Sequence, residues 1–162
     1  MPMKFIALSL LVALLLAGCN VSFSPDASSD LPKPTSGSQE QQTEAAKAAR
    51  EYLAMIDRNE FDKTWDFAGP ALRAQTSKFA WTNMLKLTRK TLGAPSKRDL
   101  EGFGFSTQID ATVPVGEYVL VQFKGISGRV TTTEKVVMQK DQSTWKIIGY
   151  FVTKRAEYRA GT

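Results

Sequence analysis

Residues 117–154, EYVLVQFKGISGRVTTTEKVVMQKDQSTWKIIGYFVTK, decide the fold. Apolar and polar side chains alternate here with a period near two, the spacing of strands with one buried face. The stretch divides into runs at 117–125, 131–140 and 144–154, with Asp141-Gln142-Ser143 as the turn between the last two. In the last run Trp145, Ile147, Gly149 and Phe151 share one predicted face, and Lys146, Ile148 and Tyr150 the other. In the middle run Glu134 lies on the face of Val136 and Met138. A fourth run, 97–108, precedes them across the turn Val113-Pro114-Val115-Gly116.

Upstream the period changes to that of a helix. Ala45, Ala48, Ala49, Tyr52, Leu53 and Ile56 mark one apolar face of a helix over 43–58, with Thr43 as its N-cap. Asn59 and Glu60 break it. Phe61 and Trp65 begin a short second helix that stops before Gly69-Pro70. A third runs from Lys78, capped by Ser77, to Leu92, with Gly93 ending it and Pro95 following. Its apolar face is Trp81, Met84, Leu85, Thr88 and Leu92. Helices followed by strands predict an α+β fold, with about three N-terminal helices packed on a curved antiparallel sheet of about four strands.

The start of the chain reads as an address. Lys4 supplies a positive charge, and eleven of the twelve residues from 5 to 16 are apolar. This run is too short to span a bilayer, which needs about 20 apolar residues, and has the length of a secretory leader. It ends in Leu16-Ala17-Gly18-Cys19, which resembles the bacterial lipobox. The resemblance implies acylation of the Cys19 thiol, cleavage before it, and a membrane as partner through the N-terminal lipid. Asn20 in place of Asp implies the outer membrane, with the protein facing the periplasm. The expected organisation is a leader at 1–18, a lipidated Cys19 with a flexible tether to residue 42, and one domain over 43–158. The tether is rich in Ser and Pro and has too little apolar surface to offset ordering entropy.

At 162 residues the chain suits one small domain with extras, not a multidomain enzyme. It has no histidine, which excludes a Ser-His-Asp triad, a His-ligated metal and imidazole acid–base work. Its one cysteine excludes an internal disulfide and a Cys-rich zinc site. No cofactor, metal ligand or catalytic residue is identified.

The ordered motifs resemble a known family. They are Leu53-x-x-Ile56-Asp57-x-x-x-Phe61-x-x-x-Trp65, Phe79-x-Trp81, Arg89-x-x-x-Gly93 and Arg98. Gly116-x-Tyr118-x-x-x-x-Phe123, Glu134-x-Val136 and Trp145-x-x-x-Gly149-Tyr150-Phe151 follow. Over residues 44–154 the set resembles an uncharacterised bacterial family, domain of unknown function number four thousand and nineteen. The resemblance implies a cone fold similar to the cystatin-like and nuclear-transport-factor-two-like group, often with a pocket, and no established activity.

Three constellations are candidate sites. Between residues 67 and 98 stand seven basic residues and no acidic one. Within it, Lys78, Lys86, Arg89 and Lys90 are expected to form a face for an anionic surface, or a merely solvated one. Nucleic acid is not expected, since no recognised binding motif accompanies the block. Arg89, Arg98 and Glu134 form the second group. An inward Glu134 needs a cationic partner, which Arg98 or Arg89 supplies, either as a polar spot in a pocket or as a structural ion pair. The third is aromatic: Trp65, Trp81, Tyr118 and Tyr150 line a pocket or fill the core. The functional expectation is a non-enzymatic envelope lipoprotein that binds a protein or a small apolar ligand. The alternative is a small isomerase-like pocket enzyme with a buried carboxylate, for which Asp57, Asp62, Asp66 and Asp110 are also available.

Overall fold

The computed structural model describes residues 31–111 and 113–155. The leader, Cys19 and the tether as far as residue 30 lie outside the described residues, as do residues 156–158. The chain forms α1 (Gln39–Asp57), a 3₁₀ helix (Lys63–Phe67), α2 (Pro70–Gln75) and α3 (Lys78–Leu92), then β1 (Lys97–Ser106), β2 (Tyr118–Ser127), β3 (Val130–Asp141) and β4 (Thr144–Lys154). The strands pair antiparallel in the order β1-β2-β3-β4, an open meander. The α+β expectation holds, and every strand end falls within two residues of its predicted place. The core lies between the helices and one sheet face. Ala45, Ala49, Tyr52, Leu53 and Ile56 of α1 share it with Val119, Val121 and Phe123 of β2 and with Val136 and Met138 of β3.

α3 spans the expected residues, with the Ser77 hydroxyl accepting from the Ala80 amide at 3.2 Å. α1 differs. It starts at Gln39, four residues before the expected start, because a capping box stands there. The Ser38 hydroxyl accepts from the Gln41 amide at 3.2 Å, and the Gln41 side chain accepts from the Ser38 amide at 2.8 Å. Thr43 is therefore inside the helix, with its hydroxyl donating to the Gln39 carbonyl. The last part of the expected tether is also held. Thr35 and Phe105 exchange two backbone hydrogen bonds of 2.8 Å. Gly37, at φ +72°, lies against the Phe105 ring so closely that a Cβ would sit 2.4 Å from it. The second helix is a single 3₁₀ stretch, and Pro70 opens the unexpected α2 from its first turn, where its missing N–H costs nothing.

The largest correction concerns β4. Val137 pairs with Gly149 and Met138 with Ile147, so Ile148 is an extra residue in a β-bulge. A bulge resets the side-chain phase by one. Trp145 and Ile147 face the core, and beyond the bulge Tyr150 joins them there, while Phe151, expected on the Trp145 face, turns out to 58% exposure. β1 carries a comparable irregularity between Leu100 and Gly102, so both edge strands are bulged.

Candidate functional site

α1, α3, β1, β3 and β4 converge at one end of the core on a cluster of charged side chains. Asp57 is the last residue of α1, where a carboxylate faces the negative end of the helix dipole. Two guanidiniums compensate it. Nη2 of Arg89, from the last turn of α3, donates to Asp57 Oδ1 at 2.6 Å. Nη1 and Nη2 of Arg98, from β1, donate to Oδ2 and Oδ1 at 2.8 and 3.1 Å. The other edge of Arg98 forks onto Glu134 of β3, with Nε donating to Oε2 and Nη2 to Oε1 at 3.3 Å. The Tyr150 hydroxyl closes the chain, donating to Glu134 Oε1 at 3.0 Å.

Arg98 on β1 reaches Glu134 on β3 across β2 because Gly125 stands between them. Gly125 pairs with Arg98 on one side and Thr132 on the other. A Cβ there would lie 2.6 Å from the Thr132 hydroxyl and 3.7 Å from the Glu134 carboxyl carbon. The bulge in β4 supplies the other requirement, since without it Tyr150 would point away.

Two guanidiniums and two carboxylates make the set formally neutral. Burial acts to raise the Asp57 carboxyl, but hydrogen bonds and charge from Arg98 and Arg89 outweigh it and hold the group below the ordinary aspartate value. Burial acts to lower Arg98, but its bonds to Asp57 and Glu134 prevail and keep it more firmly charged than usual. Burial first, then the charge of Glu134, push the Tyr150 phenol well above its ordinary value. Tyr150 is thus a neutral donor. Its ring meets Tyr52 edge-on at 5.8 Å, and burial likewise raises the Tyr52 phenol.

The space inside this cluster is small. A cavity bounded by Arg89, Thr132, Glu134 and Tyr150 has a volume of about 10 Å³. That is about one water's worth of room, too small for a substrate. Glu134 is only 3% exposed, yet it already accepts from Arg98 and Tyr150. The arrangement clamps elements together; it does not present a free base. A larger groove of about 520 Å³ lies open to solvent between α1 and β1, beside Lys47, Arg50, Leu100 and Phe103. No spacing rule marks it, because a helix and a strand more than forty residues apart form it.

The expected site residues separate into distinct environments. Arg89, Arg98 and Glu134 do come together. Arg89 leaves the expected basic face, because its side chain is turned inward to Asp57 and is 12% exposed. Lys78, Lys86 and Lys90 remain exposed on α3. The aromatic four occupy separate environments. Trp81 is buried, its indole N–H donating to the Thr64 hydroxyl at 3.1 Å. Tyr118 is buried and donates to the Pro114 carbonyl at 2.6 Å. Trp65 is half-buried under the Arg73 guanidinium, 5.0 Å from its ring centre. Tyr150 alone borders the small cavity. Asp62, Asp66 and Asp110 are exposed. Asp57 was legible only as a motif residue and one of four available carboxylates; its role depends on partners 32 and 41 residues away.

Residues 48–150 match a family described as protein of unknown function (DUF4019). No curated protein and no solved structure matches the chain.

Proposed function

The chain belongs to the DUF4019 family of proteins of unknown function, and from that premise we propose that it is a lipid-anchored, non-enzymatic interaction module of the bacterial cell envelope. Cys19 carries the lipid, and the domain faces the periplasm from the outer membrane. The lipobox ending at Cys19, with Asn20 after it, supports the anchor. Helices on one face of a four-stranded antiparallel sheet support a cystatin-like cone. The observation that carries the non-enzymatic reading is the state of Glu134. It is buried, ion-paired and hydrogen-bonded around a cavity of about 10 Å³. Binding is left to the surface, either to an envelope protein or to a small apolar ligand in the groove beside Leu100 and Phe103.

Metabolic labelling with a fatty acid tests the anchor. The native chain takes label and a Cys19→Ser chain takes none; equal labelling of both defeats the reading. Crosslinking in cells, read by mass spectrometry, tests the interaction role, with a discrete envelope partner as the expected result. The burial of Glu134 favours one second reading, a pocket enzyme using that carboxylate. It requires the Arg98 fork to open, and a Glu134→Gln chain that keeps its fold and its crosslinked partner removes it.

A further inference from the structure

α3 has an outer face that the fold does not use. Trp81, Thr82 and Leu85 are buried, and Arg89 is turned inward. On the opposite side of the 3.6-residue turn stand Phe79, Asn83, Lys86, Leu87 and Lys90. Phe79 is 78% exposed and Leu87 65% exposed, large apolar side chains in open solvent. The helix contains no acidic residue. Among the described residues no carboxylate pairs with Lys78, Lys86 or Lys90, whereas Lys63 and Lys97 each have one and Lys140 has two.

Isolated exposed lysines need no explanation, and neither does one exposed leucine. The combination is different. Two apolar side chains eight residues apart, about 12 Å along the axis, are interleaved with cations that no local anion neutralises. That is the chemistry of a bilayer surface with anionic headgroups, in which apolar side chains enter the acyl boundary and lysines stay at headgroup level. A soluble acidic partner would account for the lysines but leave Phe79 and Leu87 unexplained.

We propose that the outer face of α3 rests on an anionic phospholipid leaflet, with Phe79 and Leu87 inserted and Lys86 and Lys90 at the phosphates. This rests on the anchored reading, which brings the domain to a membrane. Twelve residues from Cys19 to Leu31 extend to at most about 40 Å, enough for the domain to lie down on the leaflet that holds it. The lipid anchor supplies attachment; the helix face supplies orientation. Each lysine contributes roughly a fivefold preference for the anionic surface, and the contact weakens as salt rises.

The test uses the full lipidated chain reconstituted in phosphatidylethanolamine vesicles, with or without phosphatidylglycerol, containing brominated acyl chains. In a Phe79→Trp chain the added indole should be quenched in the anionic vesicles. Quenching should fall in about 1 M salt, where the screening length is ~3 Å, and in a Lys86→Glu/Lys90→Glu chain. A Phe151→Trp chain, altered on the far face of the sheet, should not be quenched. If Phe79→Trp is quenched no more than Phe151→Trp, or equally in both vesicle types, the proposal is overturned. Crosslinks from Lys86 and Lys90 to an acidic envelope protein, without quenching, also overturn it. Flotation at high salt reads the anchor separately. A chain that floats without quenching defeats only the helix contact, whereas one that does not float defeats the anchor and this proposal together.

Discussion

Arg98 is the residue on which the cluster turns. It bridges Asp57 and Glu134, and its side chain is only 13% exposed. Removing one partner of a buried ion pair leaves an uncompensated charge, so Arg98→Ala should cost about 3–5 kcal/mol, measured by urea unfolding. Tyr150→Phe removes a single hydrogen bond to a charged group and should cost about 1.5–3 kcal/mol in the same assay. Asp57 sets an acid limb. Its folded pKa lies below the unfolded value of about 3.9, so its contribution is complete above that pH and is lost as pH falls through the lowered value. The stability gap between the native chain and Asp57→Asn should therefore be widest near neutrality and close in strong acid. A gap independent of pH would contradict this assignment. The need of Glu134 for a cation was readable from its place on a strand face with Val136 and Met138. For Arg89 the sequence left two places open, the basic face and the Glu134 group, because a helical wheel orders side chains without saying which neighbours the helix will meet.

At the scale of the element, local chemistry was the better guide where it was complete. Ser77 and Gly93 bound α3 in both readings. For α1 the capping box of Ser38 and Gln41 outweighs Thr43, and Ser38→Ala should cost about 1 kcal/mol by thermal or urea unfolding. The bulge is where local reading fails. Strict alternation puts Phe151 on the face of Trp145 and Ile147 and Tyr150 on the opposite one; the insertion of Ile148 into the ladder with β3 exchanges them. Deleting Ile148 should restore the straight phase, expel Tyr150 and destabilise the protein by at least as much as Tyr150→Phe. Exposure of Phe151 unchanged in the deletion, read by solvent-accessibility labelling, would count against this account. Gly125 belongs at this scale as well. Its missing side chain leaves the corridor for Arg98 across β2, and Gly125→Val should destabilise by about 1–3 kcal/mol through overpacking against Thr132.

Over the whole molecule, the clamp and the N-terminal segment hold different ends of the same layer. The clamp ties α1 and α3 to β1, β3 and β4. At the other end Thr35 pairs with Phe105, and Gly37 covers its ring. Amide exchange at Thr35 and Phe105 should be as slow as in the neighbouring ladder, although Thr35 lies in a stretch whose composition reads as a linker. A chain starting at Gln39 should lose about 1–3 kcal/mol relative to one starting at Leu31, through exposure of Phe105.

The sequence by itself determined the layer order, the strand limits and the span of α3, because periodicity and caps are properties of neighbouring residues. Only the tertiary structure decided which arginine serves Glu134, that Asp57 joins it, which side of β4 faces the core, and that the space bounded by Arg89, Thr132, Glu134 and Tyr150 is about 10 Å³. Those outcomes depend on side chains separated by tens of residues along the chain, and on one unpaired residue in a ladder. Their free energies exist only after the sheet has formed.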